Sequence, residues 1–202
     1  MSTDNRMYKV RAAHCDYRAS NDEIYEAVRK IVLPLERSWE RLRKARRIGI
    51  KFNQDQPPHR AITHQGHLQQ LVSDQVMRAV LRILREETSA ELVCIDIGVE
   101  SIMHKVEDRS ATNALAALNA YDVPFIELSE HDTQWVNVPG GGLMFDRYPV
   151  GARYLECDEL VNAQKIKNHN FMGITLCLKN LFGLMPLQPK GRPRYYYHHL
   201  VR

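Results

Sequence analysis

Lys165, Lys167 and His169 stand at alternate positions in a stretch that begins with the apolar run Leu160 to Ala163. An apolar run of that length reads as a buried strand. If the backbone stays extended beyond it, alternate side chains share one face, so two ammonium groups and an imidazole converge on one spot. Ile166 then points the other way, into the core. A cluster of this kind suits a phosphate or a carboxylate. His169 adds a group that titrates near neutrality and can serve as general acid–base or metal ligand.

From about Asn170 the pattern changes. Phe171, Met172, Ile174, Leu176, Cys177, Leu178, Leu181 and Phe182 leave almost no polar face, which predicts a helix buried on all sides. Gly183 sits where a left-handed cap would end it, and Pro186 follows. Thr175 and Lys179, four apart, would share a face of that helix, with Asn180 beside them. A buried ammonium needs a partner, so Lys179 must reach water, a carboxylate or a ligand. One reading is an anion site at a strand's C-terminal end facing a helix N-terminus, where free N–H groups favour negative charge. In the other, Lys165 and Lys167 are solvated loop charges and Lys179 pairs with a core acid.

Further candidates lie upstream and at the far end of the chain. Lys51 and Asn53 close the strand-like run Arg47 to Asn53 and share a face. Thr63, His64 and His67 follow a loop over residues 54–60, at the start of a helix predicted over roughly Gly66 to Glu87. His64 is a second acid–base candidate. His198 and His199 are candidate metal ligands, although no spacing identifies a metal.

The elements that must position these residues alternate along the chain. Residues 7–14 alternate loosely as a first strand. Ser20 with Glu23 forms a capping-box pattern ahead of a helix carrying Ile24, Val28, Ile31 and Val32, and Pro34 divides that helix from a second segment running to about Arg46. Leu92 to Ile97 is a nearly continuous apolar strand with Asp96 near its end, typical of a parallel sheet buried on both faces. A helix over Asn113 to Ala120 and a strand over Val123 to Leu128 come next. The order predicts a doubly wound α/β domain, with a mainly parallel sheet and helices on both faces. An inserted β-hairpin near 133–150 interrupts the rhythm. Its Gly140, Gly141 and Gly142 lack the GxxxxGK[ST] pattern and a following helix, so they read as a hairpin tip rather than a phosphate loop.

Composition narrows the classes. The chain reads as one globular α/β domain of 202 residues with a formal charge of only +4. Much of the basic excess falls between Arg37 and Arg47, a run that also holds Trp39 and Leu42 and reads as a solvated helix face. No nucleic-acid-binding module accompanies it. The four cysteines are scattered, with no spacing for zinc or an iron–sulfur cluster. The N-terminal residues lack a signal-peptide core and no apolar run is long enough to span a membrane, so a cytoplasmic location is expected.

The segments Lys165-Ile-Lys-Asn-His169 and Gly173-Ile-Thr-Leu-Cys-Leu-Lys-Asn-Leu-Phe-Gly183 resemble the domain-of-unknown-function family 362 (DUF362). So do Ile48-Gly-Ile-Lys-Phe-Asn53, Thr63-His64, the run ending near Asp96, and His198-His199. The similarity extends from about residue 8 to the end, and its C-terminal half is the specific part. It implies an α/β domain often found beside iron–sulfur ferredoxin modules, and the family carries no established activity. Two departures are expected to matter: no ferredoxin cysteine motif is present, and the chain ends before a further αβ unit of the family domain. The leading expectation is a domain that binds or transforms a small anionic ligand, with or without a metal, through Lys51, Asn53, Lys165, Lys167, His169, Thr175, Lys179 and Asn180 at the strand ends. The competing expectations are a non-catalytic partner domain docking onto an iron–sulfur protein, and an incomplete product that retains fold elements alone.

Overall fold

The structure, a computed structural model, describes residues 10–54, 61–97, 113–128, 133–169 and 173–185. Residues 10–19 run without regular structure, so the described part of the expected first strand is not one. The first element is α1 (Asn21–Val32), and its start is the anticipated capping box: Glu23 N donates to Ser20 Oγ while Glu23 Oε2 accepts from Ser20 N. Leu33 caps the helix with helical backbone and its N–H on Arg29 O, and Pro34, which has no N–H to donate to the carbonyl four residues back, ends it. After that break α2 (Glu36–Leu42) resumes, and its Trp39 is buried with its indole N–H donating to Val32 O.

The apolar run after α2 is β1 (Arg47–Phe52). Then comes an element the sequence reading missed, a hairpin of β2 (Thr63–His64) and β3 (His67–Leu68). Its two-residue loop, Gln65 and Gly66, has φ of 49° and 79°. Both values are left-handed, which is the backbone of the tight hairpin turn matched to strand twist. The usual signal for that turn is Asn-Gly or Asp-Gly, and Gln at the first position hid it. The helix expected from Gly66 therefore starts later, as α3 (Asp74–Glu87), where Ser73 Oγ accepts from Val76 N. The elements β4 (Glu91–Ile97), α4 (Leu115–Ala120) and β5 (Phe125–Leu128) follow as expected. Beyond them the hairpin of β6 (Thr133–Asn137) and β7 (Arg147–Gly151) forms around the glycine-rich tip. The chain then passes through α5 (Ala152–Leu155) to β8 (Glu159–Ala163).

β1, β4, β5 and β8 form one sheet in the order β5-β4-β1-β8, and all three pairings are parallel. The chain starts in the middle, steps outward twice through α3 and α4, and then crosses back to the far side of β1. Crossovers of one handedness running in opposite directions land on opposite faces of a sheet. The packing agrees. On one face Ile48, Ile50, Phe52, Leu92 and Cys94 meet side chains from α1, α2, α3 and α4. On the other, Val93, Ile95 and Leu160 meet Tyr154 of α5 and Leu184. The doubly wound parallel sheet with helices on both faces and an inserted hairpin is thus the architecture. Among the described residues no helix is long and apolar enough to cross a membrane.

The basic run of Arg37 to Arg47 is dispersed among acids at the N-terminal edge of the sheet. Arg41 meets Glu159, Arg43 meets Glu87, and Arg47 meets Glu156 and Glu91. Asp158 Oδ2 accepts from the backbone N–H groups of Arg46 and Arg47 at 2.7 and 3.1 Å, tying the start of β1 to the start of β8. Those two donors, followed by the Arg46 guanidinium, hold the Asp158 carboxyl below its usual range.

The chain after β8 departs most from expectation. Instead of one helix from Asn170, the described residues form a small hairpin of β9 (Lys167–His169) and β10 (Gly173–Thr175), then the five-residue α6 (Cys177–Leu181) and a 3₁₀ turn over Phe182–Leu184. Nor is this segment buried all round: Leu178 is 85% exposed and Ile174 46%. Ile166, expected in the core, is exposed to solvent instead. Gly183 is not a left-handed cap. It lies inside the 3₁₀ turn, and its lack of a side chain serves a close approach described next.

Candidate functional site

Strand order reverses between β1 and β8, so the segments leaving those two strands diverge and leave room at their C-terminal ends, where open α/β sheets hold ligands. At that edge Asn53 is buried, its N–H donating to Ala163 O and its carbonyl accepting from Val72 N. These bonds join the ends of β1 and β8 to the approach to α3.

Lys51 is not an open anion receptor. Its Nζ lies 2.6 Å from Asp96 Oδ2 and 3.1 Å from Phe52 O, with the two side chains only 5% and 6% exposed. The ammonium charge is matched by a carboxylate from the neighbouring strand. A Cβ on Gly183 would lie 2.6 Å from Lys51 Cε and 3.0 Å from Nζ, so glycine there lets the 3₁₀ turn close over the pair. The pair also colours its surroundings. Burial, with the Asp96 carboxylate adding to it, pushes the Cys94 thiol up to about 12, while Lys51 opposes the shift. Burial raises the Tyr154 hydroxyl far above its usual range, Asp96 adding again, and that hydroxyl donates to Ile95 O.

Asn180 is fixed in a structural ladder: its Nδ2 donates to Asn162 Oδ1 at 2.7 Å, and Asn162 Nδ2 donates to Cys177 O at 2.9 Å. The ladder fastens α6 to β8. Lys179 is half-buried with its Nζ 5.5 Å from the centre of the Phe182 ring, within cation–π range. Thr175 belongs to β10 rather than to a helix shared with Lys179. It pairs with Lys167 across the hairpin, as Gly173 does with His169. Facing residues of an antiparallel pair share a side, so Lys167, His169 and Thr175 lie on one face. That face is turned inward, since Thr175 is 3% exposed, and Thr175 Oγ1 has no hydrogen-bond partner among the described residues.

His64 and Lys165 lie elsewhere. Both line a cavity of about 760 Å³ bounded by residues 13–17, α1, the β2–β3 hairpin and the start of α3. Each comes from a segment leaving one of the two strands that flank the reversal. The N-terminal segment is held to the hairpin by Tyr17, whose ring meets that of His67 edge-on at 5.8 Å. Sequence reasoning named Lys165 and His64 as candidates but missed the walls of this cavity. The apolar side chains of α1 carried only a core signal, and residues 7–14 carried a loose strand signal. Among the described residues no three His, Cys, Asp or Glu side chains gather where they could hold a metal ion. His198 and His199 lie outside the described residues.

Residues 48–201 match the family described as Domain of unknown function (DUF362). The chain belongs to the DUF362 family. The match begins at Ile48 rather than near residue 8, so α1 and α2 lie ahead of the matched region of this DUF362 domain. No curated protein and no solved structure matches the chain.

Proposed function

We propose that this DUF362 domain binds a small anionic ligand at the C-terminal edge of its sheet, in the cavity that the segments leaving β1 and β8 enclose. The observation that carries the reading is the convergence of Lys165 and His64 on that cavity. Lys165 supplies a fixed positive charge, and it has no ion pair among the described residues. His64 supplies a group able to donate a hydrogen bond to a phosphate or carboxylate and, if the ligand is transformed, to move a proton. Lys167 and His169 extend the basic character along the inner face of the next hairpin. Lys51 and Asn53 set the strand ends in register beneath the site rather than holding the ligand. The test is a thermal-melt panel with phosphate, acetate, nucleotides and divalent metals on the wild type, Lys165→Ala and Lys167→Ala. A ligand at about 100 times its dissociation constant adds roughly 2.7 kcal/mol. A stabilisation lost in Lys165→Ala supports the reading. A panel with no shift, or one unchanged by Lys165→Ala, rejects it.

A second reading, docking onto an iron–sulfur protein in a redox system, draws on a different observation. Ile166, Ile174, Leu176 and Leu178 are each exposed, which leaves apolar side chains open to solvent in this part of the chain. A ferredoxin-type partner would cover these side chains with an apolar patch of its own, and acidic groups around that patch would complement the net positive charge of the chain. Titrating a purified acidic ferredoxin against the wild type and Leu178→Asp decides it: saturable binding lost in the variant supports docking, and no binding to the wild type rejects it.

A further inference from the structure

Two unlike kinds of side chain line the cavity. Ile24, Val28 and Ile31, three or four residues apart on α1, present an apolar wall. Lys165 and His64, from the segments leaving β8 and β1, line it as well. Among the described residues one acid also lines the cavity, Asp16, but its carboxylate is already matched: Oδ1 accepts from Arg18 N at 2.8 Å and lies 3.3 Å from Arg18 Nε. The described lining therefore offers a single lysine charge, neutral polar groups such as Gln69, Ser73 and Gln75, and a stretch of hydrocarbon on α1. That arrangement suits neither a multiply charged phosphate compound, which needs several cations, nor a bare inorganic ion, which would leave most of about 760 Å³ unfilled.

We infer that the ligand is a monocarboxylate with an apolar body, its carboxylate on Lys165 and its hydrocarbon along α1. This rests on the anion-binding reading above and narrows it to a substrate class. It also assigns a role to a part of the chain that lies ahead of the DUF362 match: residues 48–201 supply the charge, while α1 supplies the selectivity for the apolar body.

Calorimetric titration of the full chain with acetate, octanoate and inorganic phosphate tests the inference. Each buried methylene is worth roughly fourfold in affinity, so octanoate should exceed acetate by roughly sixtyfold if about three of its additional methylenes are buried. Ala27, on the α1 wall, offers a variant that adds bulk without removing a core side chain. Ala27→Phe should abolish the octanoate preference and leave acetate binding in place, while Lys165→Met should weaken both carboxylates. Acetate and octanoate binding equally to the wild type, or phosphate binding more tightly than either, would overturn the inference and leave the anion site standing. No binding of any of the three, or binding indifferent to Lys165→Met, would remove both. The wild-type preference is measured without any variant, so a variant that fails to fold does not decide the matter.

Discussion

Replacing Lys51 by Met distinguishes a charge committed to the fold from a charge available to a ligand. Lys51 Nζ is 2.6 Å from Asp96 Oδ2, and their side chains are 5% and 6% exposed. Met keeps the side chain as far as Cε and removes the ammonium, so the buried Asp96 loses the charge that lay 2.6 Å from its Oδ2. Removing one partner of a buried pair costs about 3–5 kcal/mol, because the remaining charge cannot be solvated. For a domain of this length each kcal/mol moves the melting midpoint by about 2–4 °C, so the drop should be roughly 6–20 °C. Asp96→Leu alone should destabilise comparably. The double variant should recover most of the loss, since replacing both members by apolar groups removes the charge and its desolvation together. Melts of the four proteins at neutral pH, with denaturant unfolding to convert midpoints to free energies, measure the coupling. A drop under about 1 kcal/mol in Lys51→Met, or no recovery in the double variant, would refute the argument and return Lys51 to the list of ligand-binding cations.

Three further outcomes follow from the geometry. Gly183→Ala places a methyl against the Lys51 side chain and should lower stability by about 1–3 kcal/mol by overpacking, an effect that should shrink in the Lys51→Met background, where the side chain is no longer anchored to Asp96 and can give way. Native thiol modification at pH 8 should label the exposed Cys15 and Cys177 first and leave the buried Cys94, whose thiol is raised to about 12, untouched until the protein unfolds; peptide mapping of the labelled sites reads this directly. Because the Asp158 carboxyl is held low in the folded chain, its contribution is present above its unfolded value of about 3.9 and is lost as pH falls through the folded value. Asp158→Asn should therefore lower stability at neutral pH and flatten the acid limb of the stability–pH profile, as followed by circular dichroism.

Much of the fold was legible because its determinants are local. The capping box of Ser20 and Glu23, the break at Pro34 and the apolar runs of β1 and β4 are written in residues adjacent or a few positions apart. So is the periodicity of α3. Each sets a backbone conformation or an in–out pattern with no knowledge of what lies opposite. What the sequence left open concerns short elements and distant partners. A five-residue helix such as α6 cannot hold itself together, and its place depends on the Asn162–Asn180 ladder to β8, so an apolar stretch that reads as one long helix resolves into a hairpin and a single turn. That Lys51 faces Asp96, that Gly183 must stay small above them, and that His64 and Lys165 share a cavity with α1 all follow from β1 lying between β4 and β8. Strand order is fixed by non-local pairing and crossover handedness, which no local spacing encodes. The sequence determined which groups were available for chemistry, and only the tertiary structure decided which of their charges remained for a ligand.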